Sequence, residues 1–105
     1  MRRFTDVVTP EEPVQEKGEG GTTTTRYEEH SPVWVDIEPM SGSDYWQSQQ
    51  QQDAVTYRVT GRAMALRDIR EGWRLTRDGQ VLTVRDALMR YTRDRHAELI
   101  CTEER

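Results

Sequence analysis

The sequence predicts a mainly β fold, a small antiparallel barrel or sandwich of five or six strands with one short α-helix and a long N-terminal hairpin. Three observations carry this. Val33, Val35 and Ile37 alternate with Trp34, Asp36 and Glu38, and Val55, Tyr57 and Val59 alternate with Thr56, Arg58 and Thr60. That is the period of two of a strand with one buried face. Asp78-Gly79 stands between two alternating runs, the signature of a type I′ hairpin turn. A Gly-rich stretch, residues 16–21, separates the strand-like Phe4–Thr9 from the β-branched Thr22–Thr25.

The chain of 105 residues fits one domain with three regions. Residues 1–30 form the first strand and hairpin arm, 33–53 a strand, turn and helix, and 54–103 an antiparallel sheet. In the first region, Pro10 is expected to end the opening strand, because proline cannot donate to a ladder and belongs at edges. The arm from Thr5 to Tyr27 is polar, and a lone two-stranded arm is only marginally stable in water. In the second region, Val33, Val35 and Ile37 should face the core. Trp34 then stands on the opposite face among carboxylates, which points to a cover over that face. Pro39 stops the ladder. Ser41–Asp44 offers a turn and an N-cap, with Ser43 the better cap, and a short helix is expected from Asp44 to Gln52. Its large apolar residues are Tyr45 and Trp46 alone, so its order should depend on a partner surface.

In the third region, residues 61–72 fit either a helical turn or a loop lapping over a barrel end, lined by Met64, Leu66 and Ile69. Trp73 and Leu75 open a strand, and Val81–Leu88 returns with Leu82 and Val84 in phase. Residues 91–95 read as a polar turn. His96–Thr102 is the last strand, with either Leu99 or Ile100 inward.

Leu, Ile, Val and Phe together number 18, so the core must be thin and a protomer gains stability from neighbours. Charge is uneven. Residues 1–53 carry 4 basic and 11 acidic side chains, and residues 54–105 carry 11 basic and 8 acidic. Ten of those 11 are arginines between Arg58 and Arg95, and Arg pairs well with carboxylates at interfaces. Oppositely charged halves suit head-to-tail contacts between copies. Candidate contacts are Trp34, Asp36 and Glu38 on one side and Arg58, Arg62, Arg67 and Arg70 on the other. Tyr45 and Trp46 read as interface anchors, whereas Trp73 reads as core.

No reaction chemistry is visible, and no cofactor is expected. His30 and His96 lack partners at metal-ligand spacing. Asp36 and Glu38 have the spacing of a carboxylate pair, but no second catalytic feature accompanies them. Neither a phosphate-binding loop nor a nucleophile elbow occurs. Cys101, the one cysteine, sits in an apolar run and reads as a small core residue. No apolar h-region follows Arg2 and Arg3, and no 18-residue apolar window occurs. The expectation is a protein made in a reducing cytosol, with no membrane span.

The order of the pieces resembles the phage head–tail joining proteins, also called head-closure or stopper proteins. The matching pieces are Arg3–Thr9, the Gly-rich tip at Gly18–Gly21, and Val33–Gly42 with its Glu-Pro-Met-Ser-Gly ending. Asp44-Tyr45-Trp46, the Gln cluster, Val55–Val59 and Trp73–Leu75 with the Asp78-Gly79 turn follow in order. The resemblance implies a ring of six or twelve copies in the neck of a tailed phage. A portal and adaptor would lie above it and a tail terminator or tail tube below. Packaged double-stranded DNA would lie in the channel, contacted only non-specifically, and in some members the ring closes that channel so the DNA stays in. It also implies a channel-facing or ring-interface role for Tyr45, Trp46, Gln47, Gln49, Gln50, Gln51 and Gln52. Gln side chains donate and accept without charge, so a ring of them can bond to itself around an axis. The competing reading from the residues is a small barrel that binds nucleic acid through Arg58, Arg62, Arg67, Arg70 and Arg74.

Overall fold

The computed structural model of the chain describes residues 4–40, 54–88 and 95–104. Among them run seven strands: β1 (Asp6–Lys17), β2 (Thr23–Glu29), β3 (Val33–Pro39), β4 (Ala54–Arg62), β5 (Arg74–Arg77), β6 (Gln80–Leu88) and β7 (His96–Glu104). One short helix, α1 (Ala63–Leu66), follows β4. Every ladder is antiparallel. The order β1-β3-β4-β7-β6-β5 closes on itself because β5 also pairs with β1, leaving β2 outside as a seventh strand. Six strands therefore form a barrel, as the alternation predicts. Closure removes the free edges an open sheet would expose.

Pro10 does not end the first strand. β1 runs through both Pro10 and Pro13 by changing partners along its length. Asp6–Val8 pair with β3, Thr9–Glu11 with β5, and Glu11–Lys17 with β2. In an extended strand one residue's N–H and C=O point to the same edge. The Pro10 carbonyl accepts from the His30 N–H (2.8 Å), so its missing N–H faces that side. The three-residue ladder to β5 is formed by Thr9 and Glu11 and is spared.

The barrel fills with side chains at the expected period. Val8, Val35, Val59, Leu75, Leu82, Val84, Leu99 and Cys101 are all buried from the strands. Each such aliphatic contributes roughly 1.5–3 kcal/mol of burial. Leu99 is the inward residue of its pair and Ile100 is only partly buried. Trp73 is core, as its sequence setting predicts, and Trp34 is 59% exposed. Burial pushes the Cys101 thiol up to about 12, so it remains protonated and inert.

The expected helix at Asp44–Gln52 lies outside the described residues. The described helix falls instead in the segment that fits either a turn or a loop. α1 and the loop after it lap over one barrel end, driving Leu66 and Ile69 into the core, whereas Met64 turns outward at 73% exposure. Gly61 makes this approach possible. A Cβ there would stand 3.1 Å from Leu66 Cδ1 and 3.2 Å from Val35 Cγ1. At the other end the β5–β6 hairpin turns at Asp78 (φ 44°) and Gly79 (φ 83°), the two positive values a type I′ turn requires. A register shift between Val84 and Asp86 marks a bulge in β6 that the sequence pattern does not announce.

Past Glu11, β1 and β2 leave the barrel as a two-stranded arm. Its tip is a 3-10 turn at Glu19–Gly21, and every β2 residue is exposed. The radius of gyration is 14.8 Å, against about 13 Å for a compact domain of this length. The projecting arm contributes to that excess.

Gly61→Ala should destabilise the protein by about 1–3 kcal/mol through overpacking. Gly20→Ala, at φ 76° with nothing within 4 Å, should strain only the arm tip and leave the midpoint of global unfolding in place. Urea denaturation of both variants checks the contrast.

Candidate interaction surfaces

The arm is acidic and is tied down only at its base. Arg74 is the anchor. Its Nη2 and Nε donate to Glu11 Oε1 (2.8 and 3.2 Å), and its guanidinium lies 3.5 Å over the Tyr27 ring. The His30 ring packs 4.9 Å from the Trp73 ring and its Nε2 lies 3.0 Å from Glu12 Oε1. Farther out, Arg26 Nε donates to Glu16 Oε1 (2.5 Å) across the two arm strands. That bond holds the Arg26 guanidinium above its ordinary pKa. Both groups are about half exposed, and such pairs add little.

Trp34, Asp36 and Glu38 share the outer face of β3. Trp34 lies opposite Val7, itself 39% exposed. Glu38 lies opposite Arg58 in register, and Arg58 Nε approaches Glu98 Oε1 at 3.5 Å. Arg62 ends β4, and Arg67 and Arg70 follow α1 on the exposed loop. Arg67 Nε lies 3.8 Å from Asp68, and Arg70 Nη1 donates to the carbonyls of Arg67 (2.6 Å) and Ile69 (3.0 Å). Arg58 is on the barrel wall, Arg62, Arg67 and Arg70 are at the α1 end, and Arg74 is at the arm base. Part of the opposite-charge pairing between the chain's two halves is used inside the molecule, by Arg74 with Glu11 and by Arg77 with Asp6. Tyr45, Trp46, Gln47, Gln49, Gln50, Gln51 and Gln52 lie outside the described residues.

A second feature at the opposite barrel end escapes the sequence reading. Arg77 Nη1 donates to Asp6 Oδ1 (2.6 Å) and Nη2 to Gln80 Oε1 (3.3 Å). Gln80 Nε2 then donates to Glu103 Oε1 (3.1 Å), which also accepts from Tyr57 Oη (3.2 Å). This chain of polar side chains crosses β1, β5, β6, β7 and β4. Each member takes the inward phase of its strand, two residues from a buried one: Asp6 from Val8, Arg77 from Leu75, Gln80 from Leu82, Glu103 from Cys101 and Tyr57 from Val59. The signal was present, since polar residues at strand ends were continuing the core's period. It closes the mouth from which β3 passes to β4 through residues 41–53.

Comparison with known proteins places this fold. A family model described as phage head completion protein matches residues 1–104. The chain belongs to that family. It is thereby a structural protein of the virion. A comparison with the curated proteins gave no match. Among solved structures, a chain from the virion of a native gene transfer agent particle is similar, with a TM-score of 0.76 and 18% identity over 100% of this chain and 98% of that one. The solution structure of protein SF1141 from Shigella flexneri 2a has a TM-score of 0.74 and 21% identity over 96% and 93%. Both likenesses concern the fold.

Arg77→Met keeps the aliphatic stem but removes both donors at the mouth. With Asp6 and Arg77 each about one-third exposed, the loss should be about 1–2 kcal/mol, read by urea denaturation. Arg77→Lys, a single point donor without the fork, should recover only part of it.

Proposed function

We propose that this head completion protein assembles as a ring in a phage neck, joining the portal and its adaptor to the tail terminator or tail tube. The single observation that carries this is the family match across residues 1–104. The ring would hold six or twelve copies around packaged double-stranded DNA. The segment Tyr45–Gln52 would face the channel or a neighbour, where Gln side chains bond without charge.

Two physical points support the reading. The mouth where β3 ends and β4 begins carries Asp6, Glu103 and Arg77, a slight acidic excess. Such a surface does not hold DNA phosphates. The arm has too little packing to be stable alone, which fits a part that a neighbour completes. Trp34, Asp36 and Glu38, with Arg58, Arg62, Arg67 and Arg70, remain the proposed contacts between subunits or with partner rings.

The test is the mass of the species formed with a portal–adaptor complex, measured by analytical ultracentrifugation. The proposal expects a ring-sized addition to the complex. A protein that stays monomeric there, yet binds free oligonucleotide with a steep salt dependence, would support a nucleic-acid-binding barrel instead.

A further inference from the structure

The outer wall of the barrel carries an uncharged band in a chain that is 32% charged. Register places Trp34 beside Val7, and Thr9 beside Thr76 beside Val81. The band thus crosses β3, β1, β5 and β6. Trp34, Val7 and Val81 are 59%, 39% and 40% exposed. Beside the band, between β1 and β5, lies a groove of about 520 Å³, lined by Val7, Thr9 and Thr76 and by the charged Asp6, Arg77 and Asp78, whose acidic excess suits a cation. The groove has a topological cause: the β1–β5 ladder ends at Thr9–Thr76, and toward the mouth β1 pairs only with β3.

The arm has the matching parts. Thr22–Thr25 is its uncharged stretch, between Gly21 and Arg26. Among the described residues, the far edge of β2 pairs with no strand, and an open edge invites another chain. Lys17, the one lysine in the chain, stands opposite Thr23. Neither Lys17 nor the groove's Asp78 has an ion-pair partner among the described residues.

We infer that the Thr-rich arm tip of one copy docks on the uncharged band of the next copy, entering the β1–β5 groove with Lys17 against Asp78. This rests on the ring reading and names the contact that would build the ring. The occupant is a second copy of this chain because donor and acceptor are complementary in charge and polarity and lie on different parts of one molecule. The arm leaves the barrel at the end away from the groove's mouth, so it does not fold back onto its own band. Such a contact is heterologous, and it closes into a ring when the rotation allows.

Cysteine cross-linking tests it. The variant Thr24→Cys with Val7→Cys is mixed with portal–adaptor complex and mildly oxidised. Cys101 is silent, being fully buried. A ladder of covalent multimers is expected, because a disulfide needs Cα atoms within about 4.4–6.8 Å. Thr24→Cys with Asp68→Cys, whose second site is 79% exposed but off the band, should give none. Adding Lys17→Glu to the first variant should cut the ladder severalfold. Ring-sized complexes without a ladder would overturn this docking and leave the ring intact. A ladder without rings would keep the docking and remove the neck reading. Neither product would overturn both.

Discussion

One strand has to satisfy three neighbours. β1 starts the barrel against β3, closes it against β5, and leaves it against β2. The closing ladder is short, with Thr9, Pro10 and Glu11 facing Thr76, Leu75 and Arg74. Everything else in the molecule depends on it. Without that ladder β1 and β5 would be two open edges, and the buried Val8 and Leu75 that meet behind it would face water. The ladder is reinforced at one end by Arg74 with Glu11 and Tyr27, and near the other by Arg77 with Asp6. The two proline positions fit because Pro10 turns its missing donor away from β5 and Pro13 stands out on the arm, opposite Tyr27.

The barrel and the arm are stabilised in different ways. A small barrel can be filled by a modest set of aliphatics when both ends are sealed. Here α1 and its loop seal one end with Leu66 and Ile69, and the polar chain from Asp6 to Tyr57 seals the other. This explains how 18 large aliphatic and Phe residues suffice for a chain of this length. The arm has no such filling. Its exposed ladder and half-exposed ion pair contribute little net stability, so it is the part of the described structure with most to gain from a neighbour.

Much of the barrel was legible in the sequence wherever a single physical signal dominated. Val33, Val35 and Ile37 turned inward, with Trp34 outward, because period two has one burying solution. Asp78-Gly79 made its turn because few other residues tolerate two consecutive positive φ values. Cys101 and Trp73 were core. The misreadings arose where tertiary context outweighed the local signal. Pro10 does break a strand that needs its N–H, but the edge facing β5 did not need it. Residues 63–66 became a helix because Gly61 lets Leu66 pack over Val35, a contact between distant positions. Of the face expected there, Leu66 and Ile69 were inward and Met64 was not. The mouth network was missed because polar residues at inward positions look like strand ends until the barrel brings five of them together. Of the candidate interface residues, Arg58 and Arg70 turned out to have contacts within their own chain, which charge counting by halves could not reveal.

The central claim is that β1 joins a self-sufficient barrel to an arm that a neighbour must complete. Native-state hydrogen exchange, residue by residue, tests it most directly. In the free protein, amides at Val35, Val59 and Leu99 should exchange only on global unfolding, while those of Thr23–Glu29 exchange orders of magnitude faster through local opening. The β2 amides should become protected in the assembled species. Arm amides as slow as the barrel's in the free protein would contradict the account.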